Sequence, residues 1–185
     1  MEKCFVVISG LPGSGKSTLA QRLAPALRLA LIDKDVILER LFEAMGAGDA
    51  EWRRALSRES DVLLEEEAKK SEGAILVSHW HVPGMPSNSG TPTAWISGLP
   101  AQVVNVHCEC PVEIAAERFF HRKRHPGHLD HERSFAEIFA SLRDAARFES
   151  LKIGPRIEVD TSQAADVDRV LQEITAAVAR YPQID

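Results

Sequence analysis

The chain has 185 residues, 44% of them apolar and 26% charged, with a net charge of -5. That is enough chain for one domain with its own core, in the composition range of ordinary globular proteins. No overall positive field draws it to nucleic acid or anionic membrane, no apolar run is long enough to span a bilayer, and three cysteines do not make a disulfide framework.

The first apolar run, residues 4–9, reads as a strand and not as a signal peptide, and the odd cysteine count fits a reducing compartment, so a cytoplasmic location is expected. The strand feeds Gly10-Leu11-Pro12-Gly13-Ser14-Gly15-Lys16-Ser17-Thr18, which fits the phosphate-loop pattern G-x-x-x-x-G-K-[ST]. Glycines let the backbone wrap so that its N–H groups face phosphate oxygens, and the helix that follows adds partial positive charge. Lys16 can reach the β- and γ-phosphates and the Ser17 hydroxyl can ligate Mg²⁺. ATP and Mg²⁺ are the implied ligands.

A helix from Lys16 carries Leu19, Leu23 and Leu27 on one face, with Pro25 expected to kink or shorten it. Residues 29–33 form a second strand. A helix after Asp35 places Val36, Ile37, Leu38, Leu41, Phe42 and Met45 at helical spacing. A longer helix over about 51–70 turns Trp52, Leu56, Leu63 and Leu64 inward and stops at Gly73. Residues 74–78 form a third strand. The stretch from His81 to Pro100, with four prolines, is too long for an ordinary connection and reads as a functional loop. Residues 103–108 form a fourth strand, and Pro111 suits the first position of a helix that carries Arg118 and Arg122 outward. The basic stretch around Arg122, Arg124, His125, Pro126 and Gly127 suits a lid over about 122–133. Ser134-x-x-Glu137 is a capping box. Residues 156–159 form a fifth strand, and Thr161 or Ser162 is expected to cap the last helix. Cys108 and Cys110 share one face of their strand while His107 faces the other, and no second Cys pair exists, so zinc is not expected there or at His79-x-His81.

Strands alternating with helices make repeated βαβ units and a parallel α/β sheet within one domain, residues 1–185. Ligands of such sheets bind where strands end. Asp33, Lys34 and Asp35 follow the second strand, Ser78, His79, Trp80 and His81 the third, and Asp160 and Thr161 the fifth. Two carboxylates one residue apart can divide the work of phosphoryl transfer: Asp35 for the acceptor hydroxyl, Asp33 for the metal. The alternative gives Asp35 only a helix-capping role and Asp33 only a turn. Arg118, Arg122 and Arg124 can grip phosphate oxygens, with Arg122 the first choice for the transfer step. His79, Trp80, His81 and Arg124 are expected to join Asp35 around the acceptor.

These motifs together resemble the small P-loop kinases, a group that includes shikimate kinase, gluconate kinase, chloramphenicol phosphotransferase, zeta-toxin-like kinases and polynucleotide 5′-kinase. The resemblance implies a three-layer P-loop NTPase fold with a five-stranded parallel sheet in the order 2-3-1-4-5 and a mobile lid. It implies transfer of the ATP γ-phosphoryl group to a hydroxyl, with Asp35 on the acceptor and Asp33 near Mg²⁺. It places adenine near Arg118 and the loop carrying Asp160 and Thr161. The chain departs from the group where Ser78 replaces a frequent aspartate, where His79-Trp80-His81 stands in place of shikimate kinase's glycine triplet, and where Leu38 stands in place of the polynucleotide kinase arginine. A small hydroxyl-bearing acceptor is the favoured partner. A polynucleotide or nucleoside kinase and a non-catalytic ATP-binding module remain as alternatives, and the oligomeric state is not readable.

Overall fold

Parallel strands covered on both faces must be apolar on both faces, and residues 4–9 and 74–77 are buried throughout, while the edge strand over residues 156–160 alternates exposed and buried. The computed structural model describes residues 4–148 and 150–180, so the outermost ends of the expected domain lie outside the described residues. Strands β1 (Cys4–Gly10), β2 (Ala30–Asp33), β3 (Ala74–Val77), β4 (Gln102–Glu109) and β5 (Arg156–Asp160) form one sheet in the order β2-β3-β1-β4-β5. Every neighbouring pair is parallel. This is the order the resemblance implied, and it puts the phosphate loop at the centre of the sheet's carboxyl edge.

Helices α1 (Lys16–Leu27) and α6 (Val167–Arg180) pack on the face that carries Val6, Ile8 and Val106. Helix α3 (Ala50–Lys70), with Ile96, Leu99 and Leu151, covers the face that carries Phe5 and Val7. Helices α4 (Val112–His121) and α5 (Phe135–Ala145) share a smaller cluster around Phe119, Ile138 and Leu142. Helix α2 (Lys34–Met45) joins α3 through Leu38, Phe42 and Leu56.

Several local expectations are corrected. Pro25 does not stop α1; it lies in the last turn, where Arg28 in the left-handed region donates its N–H to Ala24 O and Pro25 O and closes the helix. Helix α2 begins two residues early, at Lys34, capped by Asp33 and not by Asp35. Val36 and Met45, both 53% exposed, and the exposed Trp52 point to solvent, because the narrow α2–α3 contact needs only one stripe of each helix. Pro111 is the residue before α4, not its first turn, and Arg122 lies just past the helix end. The last helix starts at Val167, several residues after Thr161, with Asp166 accepting from Arg169 N. Thr161 instead donates to Glu109 O, which fastens the end of β5 to β4. The Ser134–Glu137 capping box is present as expected.

The stretch 81–100 is packed. Thr91 is fully buried; its hydroxyl meets Ser78 Oγ at 2.5 Å and donates to Asp61 Oδ1 at 2.6 Å. The same Asp61 oxygen lies 2.5 Å from Lys34 Nζ, so one α3 carboxylate ties the Pro-rich stretch to the start of α2. Lys34 is almost out of water, its side chain 12% exposed. Replacing Asp61 by Ala strands that ammonium and is expected to cost about 3 kcal/mol of folding free energy. Urea unfolding of D61A checks this; a loss below about 1 kcal/mol would mean that the contact does not hold the Pro-rich stretch in place.

Candidate active site

Residues 10–15 turn from β1 into α1 through backbone that only glycine adopts freely. Gly13 has φ of +81°, and a Cβ there would sit 2.1 Å from Ala115 O, so the loop is wedged against α4. Lys16, Ser17 and Thr18 open α1, which leaves unpaired helix N–H groups and positive dipole at the loop's centre. Lys16 Nζ donates back to Gly10 O at 2.9 Å and Leu11 O at 2.8 Å. Burial pushes the Lys16 ammonium down to about 8, against the pull of nearby acidic groups including Asp35. An ammonium so poorly solvated is poised to take an anionic partner.

Asp33 and Asp35 divide along different lines from those a helix cap alone would give. Asp33 is buried at the end of β2. Its Oδ2 accepts from Ser17 Oγ at 2.6 Å and its Oδ1 accepts from Asp35 N at 2.9 Å. Burial raises its pKa, opposed by the Ser17 hydrogen bond and helped by Asp35. A buried carboxylate against a hydroxyl is the oxygen pair that a hard divalent cation takes. Among the described residues no group of three or more His, Cys, Asp or Glu side chains is placed to hold a metal. The chain therefore offers part of a coordination shell, which phosphate oxygens and water would complete. Asp35, freed from capping, projects into the crevice with its side chain half exposed. Burial works to raise its pKa, but Arg124, His128, Arg122 and Lys16 outweigh it and the net direction is down.

The crevice holds about 890 Å³ and is lined by Lys16, Ser17, Asp33, Asp35, His79 and Arg118 among others. Arg122 and Arg124 also line it, bridged by Asp130 Oδ2 at 3.1 and 3.0 Å. Arg124 Nη2 lies 2.6 Å from Asp35 Oδ2. The Arg122 guanidinium covers the Phe119 ring at 3.8 Å, and its buried Nε has no hydrogen-bond partner among the described residues. The 122–133 stretch is seated on α2: His125 stacks on Phe42, and His128 meets Phe42 edge-on and Glu39 Oε1 at 3.0 Å.

Arg118 donates to Thr161 O at 2.6 Å and Ser162 O at 2.8 Å, which brings α4 and the end of β5 beside Gly15. Asp160 accepts from Ser162 N at 2.8 Å and shapes that turn. Gly10, Leu11, Pro12 and Ser14 complete the loop, with the Ser14 hydroxyl fully buried. His79 lies in the crevice and is neutral: burial, with Lys16 and Lys34 nearby, lowers it to about 4. The other two members of its run do not face the crevice. Trp80 is core, its indole N–H donating to Ile8 O at 2.8 Å, and His81 is bound to Ser89 O within its own stretch. Alternation along an extended backbone explains why His79 and Trp80 part company.

Sequence reasoning missed Arg53, Asp130 and Arg133, which also line the crevice. Arg53 looks like one more charge on a solvated helix, yet its Nε donates to His128 O at 2.9 Å. Only the tertiary seating of residues 122–133 on α2 and α3 reveals it.

The fold and this crevice define a P-loop kinase. The chain belongs to the family described as AAA domain, which it matches over residues 5–145. It is similar to a shikimate kinase of Corynebacterium glutamicum, 28% identical over 190 residues and 98% of both chains. It is also similar to a cytidylate kinase of Ignicoccus hospitalis, 29% identical over 73% of this chain and 72% of that one. A solved structure from Chloroflexus aurantiacus superposes with a TM-score of 0.77 at 26% identity, covering 96% of this chain and 99% of the other. The chain is thus a phosphotransferase of the P-loop kinase type. Among the described residues no helix is long and apolar enough to cross a membrane.

The depressed Lys16 pKa has a measurable consequence. The protonated form binds phosphate, and the free protein loses that form as pH rises through about 8. ATP affinity should therefore fall toward tenfold per pH unit above that point and stay flat below it. Titrations between pH 7 and 9.5 check this, and the slope should vanish in K16M; a flat profile in the unsubstituted protein would contradict it.

Proposed function

We propose that this kinase moves the ATP γ-phosphoryl group to a hydroxyl of a small molecule, with Asp35 receiving the hydroxyl proton. One observation carries the reading: the Asp33 carboxylate holds Ser17 of the phosphate loop with one oxygen and the Asp35 backbone with the other. The triphosphate-binding loop and the candidate base are thereby fixed to a single rigid group, as in-line transfer requires.

Asp35 is ionised at neutral pH, since its pKa lies below the ordinary carboxylate value, and an ionised carboxylate can accept a hydroxyl proton. Arg124 occupies one of its oxygens; once the acceptor hydroxyl takes that place, the guanidinium is free for phosphate. Arg122, whose Nε has no partner among the described residues and whose plane is fixed, neutralises the transferring group. Lys16 exchanges the carbonyls of Gly10 and Leu11 for β- and γ-phosphate oxygens. Arg118 and the turn carrying Asp160 and Thr161 take the nucleoside side. Ser17 and Asp33 would hold Mg²⁺, which when bound draws charge from the phosphates. His79, neutral, offers the acceptor a hydrogen bond. Residues 122–133 act as the lid, and the reaction is assigned to the cytoplasm.

D35N is expected to keep ATP affinity within twofold and to lose label transfer from γ-labelled ATP by about 10²–10⁴. A pool of sugars, other alcohols and nucleosides serves as acceptor, with K16A as the blank. Transfer by D35N at the unsubstituted rate would remove Asp35 from the chemistry.

A further inference from the structure

Across one wall from the crevice lies a second cavity of about 360 Å³, between the carboxyl ends of β1 and β4 and the end of α5. His79, Met85, Ala145 and Phe148 line both spaces. Trp80, Val82 and Leu151 supply further apolar wall.

The polar floor is a hydrogen-bond chain whose direction can be worked out. Asn105 Nδ2 donates to Leu151 O at 3.0 Å, so its Oδ1 is the acceptor that faces Ser9. The Ser9 hydroxyl donates to that Oδ1 at 2.8 Å. Ser9 has only one hydrogen to give, so His107 Nδ1, 2.9 Å from Ser9 Oγ, must be the donor of that contact. The tautomer is then fixed, and Nε2 is left with its lone pair. No hydrogen bond reaches Nε2 among the described residues. The ring is neutral, because burial and the nearby Arg156 hold its pKa down at about 4. Arg156 and Glu109 both line the cavity; Arg156 pairs with Glu158 at 3.1 Å and lies 4.0 Å from Glu109. The lining mixes apolar wall with polar groups, His79 and Glu109 among them, and an uncharged acceptor at His107 suits an uncharged group that has one donor.

We propose that this cavity is the far half of the acceptor site, and that it takes an uncharged, ring-sized apolar part of the acceptor whose N–H or O–H donates to His107 Nε2. This rests on the kinase reading above. The shared wall supports it: the flexible Met85 and the ring of Phe148 stand between the two spaces, where a ligand long enough to fill both would pass. The relation gives the Pro-rich stretch a role, since Val82 and Met85 come from it.

Indole, which has a ring and one N–H, is the binding probe, and N-methylindole, which lacks the donor, is its control. Indole should shift the His107 ring signals saturably in NMR spectra, and N-methylindole should bind at least tenfold more weakly. H107F and A146W, the second filling a position that lines only this cavity, should each weaken indole at least tenfold and leave ATP affinity unchanged. In the transfer assay, a pool of ring-bearing alcohols should be labelled at least tenfold faster than ring-free polyols, and A146W should erase the difference. Indole that fails to move the His107 signals, equal labelling of the two pools, or a preference that survives A146W would each overturn the proposal and leave the kinase reading standing. Labelling of neither pool would bring down the kinase reading and this assignment together.

Discussion

One carboxylate organises the site. Asp33 sits at the end of β2, and its two oxygens are bonded in opposite directions, to Ser17 of the phosphate loop and to the backbone of Asp35. Short hydrogen bonds to an ionised acceptor are among the stronger ones a protein makes. The β2 tip and the β1 loop are not adjacent in the sheet, because β3 lies between them. A side-chain bridge over β3 is therefore what fixes the distance between the place where phosphate is gripped and the place where an acceptor is aimed. Burial keeps the Asp33 pKa raised, so the bridge is electrostatically costly and has a reason to welcome a cation.

Around that bridge, basic groups face a smaller set of acids. Arg53, Arg122, Arg124, Arg133 and Lys16 line the crevice, with Asp33, Asp35 and Asp130 among them. The acids preorganise the bases. Asp130 spaces Arg122 and Arg124, and Phe119 fixes the plane of Arg122. Fixed guanidinium groups in a partly dry crevice stabilise developing phosphate charge with little reorganisation. The seating of His125 and His128 on Phe42 adds the final constraint, because it sets where the arginines of residues 122–133 stand relative to α2.

Much of this was legible in the sequence, for reasons that are themselves physical. The glycine-rich turn, the apolar strand before it and the helix after it are local, and local geometry writes itself into residue order. The Asp33-x-Asp35 spacing was legible as chemistry; the helix cap that the alternative reading gave to Asp35 falls to Asp33, which leaves Asp35 free. Alternation could have separated His79 from Trp80, had residues 79–81 been read as extended chain continuing β3. Arg53 and Asp61 were invisible, because their partners, His128 and Thr91, lie far along the chain and only packing brings them together. Pro25 misled because the cost of proline falls on a helix interior, and Pro25 lies in the last turn.

The central claim is that Ser17 and Asp33 act as one unit, and a double-mutant cycle tests it most directly. S17A, D33A and the double variant would be compared in Lys16-dependent ATP turnover. A shared unit predicts that the double variant is little worse than the poorer single, a coupling of about 1–3 kcal/mol. Losses that simply multiply would show two independent groups, and would contradict the account.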